Sequence, residues 1–419
     1  MFLPSRPTVL ITMPGDFSYR GFCLQQVAAA YDVVVIDSAP PTAEHAPYVA
    51  DFEIADPYDE QSLLAAGRAL ADRHALGGVM TWTEWMLVPT ARLAEHLGLP
   101  SNTTEVMLAC RNKATARTAF TRAGVPSAAS MKAATLLEAG PATHAVGGFP
   151  VVIKPAAHAA SVGAIYVDRG EDLPGAFPFA TAGAALARES TEVLVEEYLD
   201  GPEVSVETVT FAGATIPVAV TRKTLGSLPY FEETGHLVAA GDPLLAEAGP
   251  VAVAAVRALG VECGVCHTEI RHTSRGPRVI EVNARLAGDM IGRLVELATG
   301  IQLARAAADI ACRRAPDLTP TRHQAASVRI HYPQVSGTVT SRHLTRGFAA
   351  GTPWLDRATW LCEDGDRLVL PPEGSSFTAR AGLVVVTAPT AALAARRAER
   401  AFGHMSVDVA PATEPLPAA

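Results

Sequence analysis

The sequence predicts a mixed α/β protein with a parallel α/β region first and antiparallel strands after it. In the first hundred residues, strand patterns at 8–12, 33–37 and 78–81 alternate with helical patterns. Such alternation is typical of a parallel sheet with helical crossovers. Later strands are joined by short turns, at Gly201-Pro202 and at 273–277, which are the connections that antiparallel neighbours use.

Composition limits the classes of protein that fit. A chain of 419 residues is expected to form two to four domains, and 49% hydrophobic with 18% charged residues is typical of a globular protein. The net charge of −9, with Lys and Arg scattered, argues against nucleic acid or an anionic membrane as the main partner. No signal-peptide or membrane-spanning pattern is found, and six scattered cysteines suit free thiols, so we expect a cytoplasmic protein.

The strongest local signal surrounds Glu281. Side chains two apart in a strand share a face, so Glu281, Asn283 and Arg285 would project together. Ile280 and Val282 would then face a core. Such a pattern concentrates two charges and an amide on one side of a strand.

A second alternating segment precedes it and places His267, Glu269 and Arg271 on one face. If the intervening hairpin is centred on Arg275, Glu269 lies directly opposite Glu281. Like charges in that position repel unless a cation lies between them, and carboxylate and amide oxygens suit Mg²⁺. The pattern predicts a magnesium site; the alternative is a solvated hairpin with incidental charges.

Two further segments are weaker candidates. The apolar strand pattern at 151–155 delivers Lys154 to a sheet edge, and the small residues after it, with Ser161, would let backbone amides approach a phosphate. The alternative is a surface lysine. The strand-to-turn link at 195–203 is rich in carboxylates, and its alternative is a solvated connector. A cationic helix is predicted at 110–123.

Taken in order, these motifs resemble the ATP-grasp superfamily, and within it the L-amino-acid ligases (dipeptide synthetases) and related carboxylate–amine ligases. The resemblance covers about residues 8–386. It is carried by five motifs: Arg-Asn-Lys113, Val-Val-Ile-Lys154-Pro, Val-Glu-Glu-Tyr-Leu199, His-Thr-Glu269 and Glu281-Val-Asn-Ala-Arg285.

The resemblance implies the ATP-grasp fold, with an N-terminal parallel α/β domain, a lid subdomain and a C-terminal antiparallel sheet. The implied divisions are 1–108, 109–195 (central and lid), 196–330 (catalytic) and 331–419 (β-rich, with a closing helix). A homodimer would be ordinary for this fold.

The resemblance also implies ATP and Mg²⁺ as cofactors, with Mn²⁺ as an alternative ion. The implied nucleotide contacts are phosphate-binding lysines, a lid serine, an adenine-binding hinge and a ribose-binding acid: Lys113, Lys154, Ser161, Glu196, Glu197, Tyr198, Leu199 and Glu203. Glu269, Glu281 and Asn283 match the metal ligands.

Catalysis is implied for Arg285, which would steady the transferring phosphoryl group, together with Glu233 and His236. The implied substrate pocket adds Glu84, His267 and Gly288. The reaction that the resemblance implies joins a small-molecule carboxylate to an amine, with amino acids as the expected substrates, through an acyl phosphate with release of ADP and phosphate. Alternatives are bicarbonate or another non-amino-acid substrate, or a nucleotide-binding protein without turnover.

One segment departs from the family pattern. The lid loop of this family usually reads small–Asp–Gly–x–Gly–Ser–x–Gly, whereas here His158 and Ala160 occupy two of the expected glycine positions. Ser161 and Gly163 are kept. We therefore expect the loop to close less completely over the phosphates.

Overall fold

The computed structural model describes residues 6–411, which form four β-sheets with covering helices. The strands are β1 (Thr8–Thr12), β2 (Asp32–Asp37), β3 (Asp51–Ile54), β4 (Leu76–Met80), β5 (Ser130–Ala133), β6 (Val151–Pro155), β7 (Ile165–Val167), β8 (Val193–Glu197), β9 (Glu203–Phe211), β10 (Ala214–Leu225), β11 (Glu233–Ala239), β12 (Gly264–Thr273), β13 (Gly276–Asn283), β14 (Ala325–His331), β15 (Gly337–Leu344), β16 (Leu355–Trp360), β17 (Arg367–Leu368), β18 (Gly382–Ala388) and β19 (Met405–Pro411). The helices are α1 (Phe17–Ala28), α2 (Glu60–Arg73), α3 (Leu87–Leu97), α4 (Thr104–Arg111), α5 (Lys113–Ala123), α6 (Leu136–Ala145), α7 (Leu173–Ala185), α8 (Leu245–Ala258), α9 (Ile291–Thr299), α10 (Leu303–Ala311) and α11 (Ala391–Phe402).

The N-terminal sheet is parallel, as predicted, in the order β3-β2-β1-β4. Its edge strand β3 has no counterpart in the sequence prediction, because four residues of mixed polarity give little signal. At the other edge α10 packs closely against β4, where a Cβ on Gly78 would lie 2.2 Å from the Ala311 carbonyl oxygen. This contact ties the N-terminal sheet to a helix that follows the predicted magnesium site in the chain.

A second sheet, β5-β8-β6-β7, is antiparallel and packs against α6 and α7. It lies within the segment expected to form the lid. The largest sheet is antiparallel and has the order β13-β12-β9-β10-β11-β14-β18-β16. The mixed α/β class with an antiparallel C-terminal sheet is confirmed.

The two faces of the largest sheet have different neighbours. One face contributes Val204, Val206 and Ile270 to a core shared with α5 and α8. The other contributes Val209 and Val265 to a core shared with α1, α9 and α10. The sheet also continues past residue 330 through β14, β18 and β16, and the domain boundaries stay predictions.

The predicted hairpin is present, and Glu269 does pair with Glu281. The turn is tighter than predicted, because Thr273 already pairs with Gly276. A register shift between Glu269 and Ile270 compensates for the shorter turn, so that Glu269 still pairs with Glu281. Because of this bulge, Val279 and Val282 lie in the same core although they are three residues apart. Ile280 is only half-buried, so its predicted position in a core is wrong.

The predicted helix at 110–123 is wrong in its extent, since α4 and α5 meet at Asn112. The Asn112 side chain accepts hydrogen bonds from the backbone N–H groups of Ala114 and Thr115, as N-cap residues do. Lys113 is therefore the first residue of α5, and its own N–H donates to the Ala156 carbonyl oxygen at 2.8 Å. The cap fixes Lys113 beside the predicted lid loop.

None of the helices in residues 6–411 has the length and apolar character that crossing a membrane requires. All six cysteines lie in this range and are free thiols, as predicted. The cytoplasmic location stays a prediction.

Candidate active site

The three predicted metal ligands lie on adjacent strands of the largest sheet. Glu269 pairs with Glu281 across β12 and β13, and Asn283 ends β13. Glu281 Oε1 lies 3.1 Å from Lys113 Nζ, and Glu269 Oε1 accepts from Lys223 Nζ at 2.7 Å. Two carboxylates and an amide oxygen in one row are a donor set that fits a hard divalent cation.

Lys223 is the residue that the sequence analysis missed most clearly. Its ammonium lies 3.3, 2.5 and 2.7 Å from carboxylate oxygens of Glu203, Glu233 and Glu269, and its side chain is 1% exposed. Burial alone would lower the pKa of Lys223, but the three carboxylates raise it well above its usual value. We call these four residues the Lys223 cluster; the lysine neutralises acids that would otherwise repel one another.

Glu203, the implied ribose-binding acid, lies in the Lys223 cluster. It faces Lys223 and also pairs with Arg271 at 3.1 Å, and burial raises the pKa of its carboxyl group. A carboxylate held this way belongs to the Lys223 cluster, and its contact with a ribose stays a prediction.

Lys154 and Glu196 form a buried pair in the second sheet. Lys154 Nζ lies 2.6 Å from Glu196 Oε2, which also accepts from Arg117 Nη2 at 2.9 Å. Burial opposes ionisation of Glu196, but Arg117 and Lys154 lower its pKa to about 2. Because Arg117 Nη2 also donates to the Ile280 carbonyl oxygen at 2.7 Å, this pair is connected to the metal-ligand strand β13.

The predicted hinge, 196–199, begins in the last two residues of β8 and continues past the end of the strand. Glu197 is ion-paired with Arg275 of the hairpin turn. The Tyr198 ring packs edge-on against Tyr166, with ring centroids 4.9 Å apart, and Leu199 is buried. The hinge is thus fixed at both ends by side-chain contacts.

The lid loop adopts a conformation that its sequence disfavours. Ala160 and Ser161 both have positive φ, at 57° and 56°, in the left-handed region that glycine adopts most readily. Gly163, at φ 71°, packs so closely that a Cβ would lie 2.9 Å from the Pro155 ring. The His158 carbonyl oxygen accepts from Lys113 Nζ at 2.6 Å, which anchors the loop to α5.

Arg285 and Glu84 form a buried ion pair. Glu84, in a short 3-10 helix (Glu84–Met86), accepts from Arg285 Nε through one carboxylate oxygen and from Arg111 Nη1 at 2.6 Å through the other. Burial opposes ionisation, but the two arginines lower the pKa of Glu84 to about 2. Arg285 is therefore held by a residue of the N-terminal segment.

A further buried cluster surrounds Asp289. Arg380 donates to both of its carboxylate oxygens, one at 2.8 Å, and Tyr19 donates to it as well. His236 Nε2 lies 3.3 Å from Asp289 Oδ2 and 3.5 Å from Glu233 Oε2. Burial alone would lower the pKa of His236, but these two acids raise it.

Asp289 directly follows Gly288, a predicted pocket residue, yet neither Asp289 nor Arg380 stood out in the sequence. The two positions are 91 residues apart, so only the folded chain brings them together.

His267 connects two carboxylates on the same sheet face. Its Nδ1 lies 2.8 Å from Glu207 Oε1 and its Nε2 lies 3.3 Å from Glu269 Oε1. Burial opposes protonation of His267, but the neighbouring acids raise its pKa to about 9. Glu207 is fully buried and was also missed; its Oε2 has no hydrogen-bond partner among the described residues.

The folded chain thus brings most of the sequence-predicted site residues into one connected network, in which the metal-ligand row, the Lys223 cluster and the Glu84 and Asp289 pairs adjoin. The roles of these residues stay predictions. Ser161 is exposed at the lid turn and is the predicted residue least enclosed by the others.

Comparison with protein-family models gives two matches. A model described as ATP-grasp domain matches residues 147–293, which contain Lys154, the hinge, the metal-ligand strands and Arg285. A model described as ATP-grasp N-terminal domain matches residues 27–101.

Similar proteins include the uncharacterized protein y4rH of Sinorhizobium fredii, 28% identical over 80% of this chain and 69% of that protein. Alanine--anticapsin ligase of Bacillus subtilis is 27% identical over 58% of this chain, which spans only 55% of that enzyme. Among solved structures, an L-amino acid ligase from Bacillus licheniformis superposes with a TM-score of 0.80 at 22% identity, covering 96% of this chain and 99% of that one. The last similarity concerns the fold.

Proposed function

We propose that this protein, which belongs to the ATP-grasp superfamily by its two matched domains and its fold, is an ATP-dependent carboxylate–amine ligase. The observation that carries the proposal is the row of Glu269, Glu281 and Asn283 with Lys113 beside it and Arg285 following in the chain. Such catalysis relies on positioning and charge stabilisation, which this arrangement supplies.

In the proposed reaction, a carboxylate oxygen of the first substrate attacks the γ-phosphorus of ATP, and the bond to the β-phosphate oxygen breaks to release ADP. The amine nitrogen of the second substrate then attacks the acyl carbon of the resulting acyl phosphate. The bond from that carbon to the phosphate oxygen breaks, phosphate leaves, and the nitrogen loses a proton. No covalent bond to the protein is needed.

The side chains have separate parts in this scheme. Glu269, Glu281 and Asn283 would hold Mg²⁺, which supplies positive charge against the phosphates. Lys113 and Lys154 would add fixed positive charge. The planar fork of Arg285 suits phosphoryl or carboxylate oxygens.

We further propose amino acids as substrates, with Glu233, His236 and His267 lining their pocket. Support comes from similarity to an alanine--anticapsin ligase and to the fold of an L-amino acid ligase. Bicarbonate or another carboxylate is the competing substrate.

The test incubates purified protein with ATP, Mg²⁺ and pairs of amino acids, and measures ADP, AMP, phosphate and amide product. We expect Mg²⁺-dependent formation of ADP and phosphate together with the amide. Stoichiometric AMP would contradict the acyl-phosphate route. Turnover with bicarbonate and without amino acids would identify bicarbonate as the carboxylate substrate.

Two variants control this assay. Glu281→Ala should lose both turnover and Mg²⁺-dependent nucleotide binding. Glu171→Ala, which removes an acid whose side chain is 84% exposed, should leave both unchanged.

A further inference from the structure

Both carboxylate oxygens of Glu84 accept a hydrogen bond from an arginine. Arg111 Nη1 donates to Oε1 at 2.6 Å and Arg285 Nε donates to Oε2. Glu84 therefore contacts the proposed catalytic arginine directly, and its side chain is only 6% exposed.

Arg111 extends this contact to the segment expected to form the lid. Its Nε and Nη2 donate to the two carboxylate oxygens of Glu189 at 2.9 and 3.2 Å, while Nη1 binds Glu84. All three nitrogens of this guanidinium are thus bound, and its side chain is 6% exposed. Since Glu189 lies between α7 and β8, one arginine joins the N-terminal segment to the second sheet.

Arg285 lies beyond the end of β13, so no strand pairing fixes it. Its Nε is held by Glu84 and its Nη1 donates to the Leu286 carbonyl oxygen at 2.8 Å. Within residues 6–411, Nη2 has no hydrogen-bond partner in the structure. The contacts thus hold the guanidinium from one side and leave one nitrogen for an incoming oxygen.

We propose that Glu84 is a positioning residue that orients Arg285 for the reaction, and that Arg111 and Glu189 hold Glu84 in place. The inference rests on the proposed function and replaces the substrate contact that the family resemblance implies for Glu84. To bind a substrate ammonium in place of Arg285, Glu84 would have to give up a buried guanidinium that has no other salt-bridge partner among residues 6–411, which is strongly unfavourable. Small errors in the placement of a catalytic group are costly to rate.

The test is a double-mutant cycle on kcat, using Glu84→Gln, Arg285→Ala and the combined variant with the full chain, ATP, Mg²⁺ and the substrate pair. Glu84→Gln keeps the shape of the side chain but removes its charge. We expect kcat to fall about 10–100-fold while the KM values of both substrates and the calorimetric Kd of ATP change less than about twofold. In the Arg285→Ala background, Glu84→Gln should cause no further loss, because it acts through the arginine.

A matched control is Glu60→Gln, which breaks an exposed pair with Arg92 in the same N-terminal region and should leave kcat unchanged. If Glu84→Gln fails to fold, Arg111→Lys decides the question, since it keeps the charge but loses the two-nitrogen contact with Glu189. It should lower kcat by about 3–30-fold with unchanged KM, and again only when Arg285 is present.

A rise in KM for one substrate with kcat unchanged would identify Glu84 as a substrate contact and overturn the inference. Fully additive losses in the cycle would overturn it as well. Both outcomes leave the ligase activity itself intact, whereas a wild-type protein without ligation would overturn the proposed function and this inference with it.

Discussion

Replacing Lys223 with methionine tests the electrostatics of the site most directly. The variant keeps a side chain of similar length but removes the ammonium from three carboxylates whose oxygens lie within 4.8 Å of one another. Two unit charges at that separation repel by about 3.5 kcal/mol at an effective dielectric constant of about 20. Protonation and the remaining contact of Glu203 with Arg271 relieve part of this repulsion.

We therefore expect Lys223→Met to lower the free energy of unfolding by about 3–5 kcal/mol, as the removal of one partner from a buried ion pair typically does. Urea unfolding at neutral pH measures the change. Lys132→Met is the matched control, since Lys132 pairs with Glu192 at the surface, with side chains 59% and 41% exposed. It should cost less than about 1 kcal/mol.

The same variant should gain a divalent-cation response. Three uncompensated carboxylates offer oxygen ligands that Mg²⁺ and Mn²⁺ prefer, so either ion should raise the Tm of Lys223→Met, without nucleotide, more than it raises the Tm of the wild type. Equal losses of stability in Lys223→Met and Lys132→Met, or no difference in the response to Mg²⁺, would refute the reasoning.

Two further predictions follow from the nucleotide side of the site. The pKa of Glu196, about 2 against an ordinary 4.5, means that its ionised form stabilises the fold at pH above about 4.5 and that this stability is lost as the pH falls through about 2. The difference in unfolding free energy between wild type and Glu196→Gln should thus shrink by about 3 kcal/mol between pH 7 and pH 2, and a pH-independent difference would contradict the ion pair. Ala160→Gly should relieve the strain of a positive φ, about 1 kcal/mol. We expect this variant to release a smaller share of phosphate without amide product. Equal amounts of phosphate and amide product from the wild type would show instead that the lid already closes completely.

The sequence was informative wherever chemistry lies on neighbouring residues of a single hairpin. Alternation along the two strands was enough to predict that Glu269 faces Glu281, and the pairing is confirmed. The bulge at Ile280 was beyond this reasoning, because a bulge depends on how both strands pack on the rest of the sheet. The break at Asn112 was missed for a more local reason, since an N-cap inside a run of helix-forming residues is easily read as continuous helix.

The residues that the sequence did not predict share one property: their partners are distant in the chain. Lys223 contacts Glu269 only because β9 lies between β10 and β12, an order that no local pattern specifies. Asp289 meets Arg380 across 91 residues. The role of a buried charged residue depends on the residue with which it pairs. The periodicity of a sequence predicts which residues are buried, but it does not predict which of them form ion pairs.

This pairing bears on how a nucleotide would enter the site. Each carboxylate expected to bind the ion already has a lysine partner, Glu281 with Lys113 at 3.1 Å and Glu269 with Lys223 at 2.7 Å. ATP with its divalent ion brings both signs of charge together, so that Glu281 can exchange Lys113 for the ion while Lys113 exchanges Glu281 for phosphate. If Glu269 exchanges Lys223 for the ion, the lysine keeps Glu203 and Glu233. Every buried charge would then keep a counter-charge, which avoids the large penalty of desolvating an unpaired ion. ATP alone would draw Lys113 towards phosphate and leave Glu281 without its lysine partner, so the nucleotide affinity of this site should depend on the ion through the protein as well as through the phosphates.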